Sequence, residues 1–333
     1  MNIKSLLLIL LIVLFIINYS CEKQSTNPAK PPEVTTAEVS AINYTYALCG
    51  GTIHSEGDSQ VLTNGVCWST NEKPKWNYND NTLAFDKQGD FKSEMIGLIP
   101  ETKYYVRAYA TNEHGTGYGE EKTFTTKAMQ SFTDKEGNTY KIVEIGDQWW
   151  MAENLQVTQY RNGDPIACVS NKAEWNSLST GAYCFYDYQE NPYGDVYGKL
   201  YNWYAVTDSR NIAPDGWHVP GEEEWQTLMN FLGGASIAGG KLKETGLAHW
   251  ASYNTGATNE TGFTALPGGS CGEDGGFGHT INLSGCFWSS TKEYRSHGTA
   301  YQSYGYHIYF YSNDLNRNAW HRRIGCSIRC VKD

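Results

Sequence analysis

The segment from Tyr197 to Leu232 ends in an apolar pattern that an α-helix with one buried face satisfies. Four residues recur at i, i+3, i+4 and i+7 and so share one helix face: Trp225, Leu228, Met229 and Leu232. Gly221 precedes this pattern, three glutamates fill its first turn and Gly233 follows it. We predict a core helix from Gly221 to Leu232, and we interpret the glutamates as solvated partners of the helix dipole.

The first 20 residues are predicted to be a signal peptide. Lys4 supplies a basic start, and the apolar run from Leu6 to Ile17 has only 12 residues, whereas a transmembrane helix needs about 20. The run leads to Cys21, as in a bacterial lipoprotein signal, although Asn18 replaces the usual leucine. We expect Cys21 to carry the lipid that anchors the protein to the outer membrane, facing either the surface or the periplasm, with ordinary secretion as the alternative. Residues 21–32 read as a tether.

The formal net charge of −10 gives no sign of the positively charged surface that binds nucleic acid. At 333 residues the chain is long enough for two domains.

Residues 33–127 alternate between short strand-like runs and turn signals, which favours an all-β sandwich. The run Leu98-Ile99-Pro100-Glu101-Thr102-Lys103-Tyr104 resembles the fibronectin type III signature, and this resemblance implies that the Tyr104 hydroxyl bonds back to the chain upstream. The small residues around Cys49 make Trp68, or a tyrosine across the sandwich, the expected core filler. Cys49 and Cys67 either cross-link the sheets or remain buried free thiols.

Residues 129–333 carry five runs in a fixed order: LYNWYAV, GWHVPGEEEW, ATNETGFTALPGG, FWSS and IRCVKD. Together they resemble the Fibrobacter succinogenes major paralogous domain. That family looks like a distant relative of formylglycine-generating enzymes and C-type lectins, so the resemblance implies a lectin-like α+β fold. The fold class expected for the whole chain is therefore multidomain, with a fibronectin type III-like sandwich before a C-type-lectin-like domain.

Within the second domain, periodicity predicts one further helix, from Leu200 to Thr207. Four strands are expected late in the chain, near residues 262–266, 286–290, 301–311 and 326–331.

The cysteine count is compatible with an oxidising compartment, because nine cysteines without Cys21 leave eight. In an extended strand, Cys326 and Cys330 share a face about 13 Å apart, too far for a bridge that needs Cα atoms within about 7 Å. Their partners are expected among Cys168, Cys184, Cys271 and Cys286. The family resemblance favours the pair Cys184 with Cys330.

No metal site, cofactor or catalytic centre is predicted. The histidines form no HExxH pattern, and His218 is interpreted as a hydrogen-bonded structural residue. Formylglycine-generating oxidases need paired reactive cysteines before their last strands, but YQSYGYHIYFY at 301–311 has none. The resemblance therefore implies the fold without the catalysis, so we do not expect an enzyme.

The expected function is non-catalytic binding of an extracellular polysaccharide or protein, because aromatic side chains beside hydrogen-bond donors can stack on sugar rings. The candidate ligand-binding residues form two groups, His249, Trp250, Tyr253 and Asn254, and then Trp320, His321 and Arg322. The alternatives are a structural envelope protein without a specific ligand and an orphan enzyme.

Overall fold

The computed structural model describes residues 29–84, 88–292 and 302–333. Cys21, the signal segment and most of the tether lie outside the described residues. The described chain is mostly β-structure in more than one domain. No helix within the described ranges has the length and apolar character needed to cross a membrane.

The first part of the chain forms two antiparallel sheets. One sheet has the order β1-β2-β5, made of β1 (Glu33–Thr36), β2 (Tyr46–Ser55) and β5 (Gly89–Ile96). The other has the order β4-β3-β6-β7, with β8 also paired to β6, and is made of β3 (Thr63–Ser69), β4 (Asp80–Asn81), β6 (Lys103–Asn112), β7 (Gly115–Tyr118) and β8 (Lys122–Thr125).

Side-chain alternation in β3 decides what fills this sandwich. Trp68 is buried in the core between the sheets, as expected. Cys49 also points into that core, but Cys67 follows Val66 by one residue and therefore points to the opposite face. The Cys67 thiol contacts the carbonyl of Arg107 at 3.6 Å. Of the two alternatives, the structure shows the buried free thiols, because Cys67 points away from the core between the sheets that contains Cys49.

The predicted tyrosine corner is confirmed. The backbone N–H of Ile99 donates to the Tyr104 hydroxyl at 3.0 Å. Tyr104 is buried and its ring stacks on Phe124 with centroids 5.6 Å apart. The contact holds the turn before β6 against the sandwich.

Tyr44 connects the sandwich to the second domain. It precedes β2, yet its ring is buried in a core made by later residues, among them Val143 and Trp150. Its hydroxyl accepts a hydrogen bond from the Glu144 N–H at 3.1 Å. The neighbouring Thr45 hydroxyl donates to the Asn259 carbonyl. Side chains of the first domain thus complete the packing of the second.

The second domain contains three small sheets. The first has the order β15-β20-β11-β10-β9, with β9 (Gln130–Thr133), β10 (Thr139–Ile145), β11 (Gln148–Met151), β15 (Trp217–His218) and β20 (Val331–Lys332). The second has the order β12-β13-β14-β19, with β12 (Ala167–Cys168), β13 (Ala182–Cys184), β14 (Leu200–Asn202) and β19 (Gly325–Cys326). The third has the order β16-β17-β18, with β16 (Ser284–Lys292), β17 (Gln302–Tyr309) and β18 (Leu315–His321).

In the described part of this domain, the sheets are connected by five α-helices: α1 (Lys172–Asn176), α2 (Glu190–Tyr197), α3 (Trp203–Val206), α4 (Glu222–Phe231) and α5 (Ala235–Leu242). The predicted core helix is α4, with its stripe residues buried and Gly221 as N-cap. The Gly221 N–H donates to the Glu224 carboxylate at 2.6 Å, so this glutamate caps the helix.

Three predicted elements differ from the structure. The strand expected near residues 326–331 is divided between the short strands β19 and β20. The expected helix from Leu200 is strand β14 followed by the single turn α3, because the Asn202 side chain accepts from Ala205 N–H at 3.0 Å and starts the helix there. Residues 262–266 form no strand and make only one isolated bridge, from Ala265 to Lys243.

The closing segment, residues 325–330, is buried along its whole length because it runs between two cores. Cys326, Ile328 and Cys330 share the core that contains Trp203 and Trp288, which confirms their predicted common face. Arg329 points the other way, with its guanidinium 4.6 Å from the Phe263 ring. This central position explains why the segment carries no exposed residue.

The predicted Cys184–Cys330 bridge is wrong. Cys184 lies in a separate lateral core together with Trp175 and Cys271. Cys330 lies in the core of Trp203 and Trp288, and all eight cysteines in the described ranges are free thiols.

Candidate binding surface

The sheet β16-β17-β18 has two chemically different faces. Its inner face carries Phe287, Tyr306 and Ile308, which pack against the α4 helix through Trp225. The Tyr306 and Trp225 rings stack with centroids 4.6 Å apart. Since strand residues alternate between faces, the residues between these positions lie on the other face, which is buried at Cys286 and Trp288 of β16 and partly exposed on β17 and β18.

The outward side chains of β17 and β18 form a row of aromatic rings. Trp320 lies edge-on to His307 at 5.5 Å, His307 lies 4.2 Å from Tyr309, and Tyr309 stacks on Tyr311 at 5.2 Å. The first three rings are partly exposed and Tyr311 is 57% exposed. We call the side chains of Trp320, His307, Tyr309 and Tyr311, together with the amides of Asn316 and Asn318, the outer aromatic face.

Two asparagines of β18 point to the same side. The register pairs Asn316 with His307 and Asn318 with Gly305, and directly opposed residues of antiparallel strands share a face. Gly305 has no side chain, so the Trp320 ring lies across its backbone. The surface therefore combines flat apolar rings with amide groups that donate and accept hydrogen bonds.

The protonation of this surface is set by burial. Burial lowers the pKa of His307 to about 4, so its imidazole is neutral at pH 7. Burial, together with the neighbouring Tyr311, raises the pKa of Tyr309, which stays a neutral phenol. The outer aromatic face is uncharged at neutral pH, which suits a neutral ligand.

The structure removes Trp250 and Asn254 from the sequence-predicted site. Trp250 is only 2% exposed, and its indole N–H donates to the Ala265 carbonyl at 3.0 Å. Asn254 is buried and donates to the carbonyls of Glu244 and Gly246. The prediction that these two present a binding surface is wrong, because both side chains are buried and their N–H groups donate to internal carbonyls.

The other residues of the first predicted group are accessible. His249 is partly exposed, with its Nδ1 atom 2.9 Å from the Glu244 carboxylate and its ring edge-on to Tyr197. Tyr253 is 83% exposed.

The second predicted group lies at the far end of the sheet. In the second group, Trp320 pairs with Ser303 near the start of β17. Next to the first group, the Thr255 N–H donates to the Phe310 carbonyl, just beyond the other end of β17. Seven residues of extended chain separate these points by about 23 Å, so the two predicted groups do not form one site.

The neighbours of Trp320 are held by other contacts. His321 lies 3.5 Å from Glu273, and burial is the main cause of its lowered pKa. The Arg322 guanidinium lies 5.0 Å from the Trp203 ring. Of the second predicted group, Trp320 alone has a ring in the outer aromatic face.

Sequence reasoning did not single out His307, Tyr309, Tyr311, Asn316 and Asn318. A signal was present, since YGYHIYFY alternates two sets of side chains with a period of two. Both sets contain aromatic rings, so the alternation could not tell which set was covered.

His218 lies apart from the outer aromatic face and is hydrogen-bonded on both ring nitrogens. Its Nδ1 is 2.7 Å from the Asp333 carboxylate, and its Nε2 contacts the Glu224 carboxylate. Burial opposes the charged form, but these two carboxylates outweigh it and raise the pKa of His218. The expectation of a hydrogen-bonded histidine is confirmed, and its partners tie α4 to the last residues of the chain.

A separate cleft of about 300 Å³ lies between β9 and residues 212–215, with Phe132, Tyr160 and Ile212 in its lining. Three of its charged residues pair with one another, because Asp215 lies 2.6 Å from Lys135 and 3.4 Å from Arg161. Within the described ranges, no group of three or more metal-ligating side chains converges.

The comparisons with known proteins decide the family. The profile of the Fibrobacter succinogenes major domain matches residues 143–332. The chain belongs to this family. The Fibrobacter succinogenes major domain thus contains the outer aromatic face, His218 and the closing segment. No curated protein matches the chain.

Solved structures similar to the chain include fibronectin type III domains. The solution structure of the sensor domain of the anti-sigma factor RsgI4 in Pseudobacteroides cellulosolvens has 20% identity and a TM-score of 0.23, covering 29% of this chain and 76% of that one. The chicken CNTN1 FN1-FN3 structure has 16% identity and a TM-score of 0.23, covering 30% and 33%. The fibronectin type III domain derived from human KIAA0970 protein has 15% identity and a TM-score of 0.21, covering 29% and 74%. These likenesses are too weak to transfer any property to the Fibrobacter succinogenes major domain described above.

Proposed function

We propose that this protein is a cell-envelope lipoprotein whose second domain is a non-catalytic binding head for an extracellular polysaccharide. The lipid anchor is Cys21 of the sequence NYSC, and the outer membrane is the proposed location. The sandwich of residues 33–127 then acts as a spacer between the anchor and the head at residues 129–333.

The outer aromatic face is the observation that carries this proposal. Sugar rings expose apolar C–H faces and a rim of hydroxyls, so a receptor needs flat rings beside donors and acceptors. Tyr309 and Tyr311 stack nearly parallel, with an interplanar angle of 20°. The amides of Asn316 and Asn318 flank the row on the next strand. Three of the four rings, those of His307, Tyr309 and Tyr311, follow β17 and the residues after it, which suits an extended chain of sugars.

A lectin-like α+β fold is part of the same proposal. The closing strand β20 pairs with both β11 and β15, which brings the beginning and end of the domain into one sheet. The helices α4 and α5 stand near the later sheet, where Arg317 of β18 forms an ion pair with Glu222 of α4. This arrangement leaves the outer aromatic face partly exposed on β17 and β18, while Cys286 and Trp288 bury the same side of β16 in the core of Trp203.

The test is binding of the full mature chain to a panel of soluble and insoluble polysaccharides. Tyr311→Ala and Asn318→Ala should each weaken binding about tenfold, which corresponds to about 1.4 kcal/mol. Tyr78→Ala is the matched control, because Tyr78 is 85% exposed on the other domain. It should leave the affinity unchanged.

Three outcomes would contradict the proposal. A folded protein that retains no polysaccharide would favour a structural envelope role. Retention that is equally weakened by Tyr78→Ala would place the binding site outside the outer aromatic face. A partner protein captured through Tyr311 would replace the polysaccharide as the ligand.

A further inference from the structure

Four cysteines of the second domain meet in two buried pairs beside strand β19. We propose that in the oxidised protein Cys286 is joined to Cys326 and Cys184 to Cys271 by disulfide bonds. The four residues come from four separate parts of the chain. One bond would therefore tie β16 to the closing segment, and the other would tie β13 to the loop at 267–281.

The first pair follows from strand register. Phe287 and Ser327 form a parallel bridge, Ser327 N–H donates to the Cys286 carbonyl at 3.0 Å, and Trp288 N–H donates to the Ser327 carbonyl at 3.1 Å. Cys286 and Cys326 each precede a bridge partner, so they lie side by side on neighbouring strands. Such strands are about 4.8 Å apart, within the Cα separation of about 4.4–6.8 Å that a disulfide needs. The two Sγ atoms are 2.6 Å apart, and both residues are buried.

The second pair lies on the other side of β19. Cys271 forms an antiparallel bridge with Gly325, exchanging backbone hydrogen bonds of 3.0 and 2.8 Å. Cys184 pairs with Leu200 on β14, which neighbours β19. A Cβ placed on Gly325 would lie 3.0 Å from the Cys271 Cβ and 3.3 Å from the Leu200 Cβ, so this glycine leaves room for the two strands to converge. Both side chains are fully buried in one cluster, and burial followed by the neighbouring Cys271 thiol raises the pKa of Cys184.

The remaining cysteines have different surroundings. Cys49 and Cys67 point to opposite faces of the β3 sheet. Cys168 is exposed on strand β12. Cys330 is buried, and its pKa is raised by burial, with Arg161 and Asp333 as the charged groups around it. The pairing therefore selects four cysteines from eight.

The oxidation is a thiol–disulfide exchange. For each pair, two S–H bonds are lost and one S–S bond forms, while a disulfide oxidant, either a protein or a small molecule, accepts the two electrons and two protons and becomes two thiols. Burial raises the pKa of Cys184 and Cys326 well above its ordinary value, so neither is a reactive thiolate in the folded protein. The bonds would form during folding, before the two cores close.

The test is peptide mapping of the full mature chain refolded with glutathione disulfide, with free thiols blocked before proteolysis without reductant. The expected peptides join residue 286 to 326 and 184 to 271, and the intact mass falls by four hydrogen atoms. Full alkylation of all four cysteines, or a peptide that joins 184 to 330, would overturn the proposal.

Two variants distinguish the bonds. Cys330→Ala should keep both bonds and the full loss of four hydrogen atoms. The double variant Cys286→Ala/Cys326→Ala should keep only the 184–271 bond and lose two hydrogen atoms. Loss of a bond in Cys330→Ala would contradict the pairing. None of these outcomes depends on polysaccharide binding, so this test and that of the proposed function can fail separately.

Discussion

The indole ring of Trp320 lies against the backbone of Gly305 on the neighbouring strand, at the position where any side chain of residue 305 would stand. The register places Trp320 opposite Ser303, so the ring reaches diagonally across the strand to this glycine. This contact orients the first ring of the outer aromatic face. It also places Trp320 edge-on to the buried Trp288, with centroids 5.7 Å apart.

Replacing Gly305 with alanine should displace the Trp320 ring. The added methyl group overlaps the ring, so we expect the free energy of unfolding to fall by about 1–3 kcal/mol and polysaccharide binding to weaken. Chemical denaturation and a binding titration measure the two effects. In a Trp320→Ala background the same alanine has room, so its cost should largely disappear; equal costs in both backgrounds would contradict the contact.

His307 should make the folded state sensitive to acid. Burial lowers its pKa to about 4, whereas a histidine in the unfolded chain titrates near about 6.5. As the pH falls, the unfolded state binds the proton first. The contribution of His307 to the free energy of unfolding is therefore complete above pH ~6.5, is lost between pH ~6.5 and ~4, and changes no further below that range. The total loss should be about 3 kcal/mol.

Denaturant titrations at several pH values check this expectation. His307→Phe should flatten the pH dependence in that window. His54→Phe, at an exposed position of β2, is the control and should leave the dependence intact. Parallel curves for the parent protein and His307→Phe would contradict the assignment.

Arg329 should be among the most sensitive positions of the domain. It is fully buried and donates to the Asn154 side chain and to the carbonyls of Met151, Phe263 and Thr264. Arg329→Met removes all these donors and should cost at least about 3 kcal/mol, measured by chemical denaturation. Arg317→Met is the control: its side chain is 47% exposed and pairs with Glu222, so its cost should stay within about 1 kcal/mol. Similar losses for both variants would contradict this account.

Tyr44 should couple the unfolding of the two domains. Its ring is 4% exposed and belongs to the core that contains Val143 and Trp150. Tyr44→Ala should cost about 3–5 kcal/mol in the second domain and split a single calorimetric transition into two. Tyr78→Ala, at an exposed site of the sandwich, should leave the transition unchanged. A single transition in Tyr44→Ala would show that other contacts hold the domains together.

Much of the local structure could be read from the sequence because its causes are local. The spacing of Trp225, Leu228 and Met229 predicts α4, since a buried stripe at that period is compatible with only a helix. The resemblance of the Leu98–Tyr104 run to the fibronectin type III signature predicts that the Tyr104 hydroxyl bonds to the chain upstream, and the structure shows Ile99 as the partner. The ordered runs of the second domain identify the family in the same way.

The candidate site and the cysteine pairs could not be read from the sequence. In YGYHIYFY, Tyr306 and Tyr309 look alike, and only the packing of α4 against one face of the sheet buries the first and leaves the second partly exposed. Cys286 lies beside Cys326 because strands β16 and β19 become neighbours across forty residues. Periodicity assigns a side chain to a face, but the elements that cover that face come from distant parts of the chain, and so only the tertiary structure decides which residues remain available to a ligand.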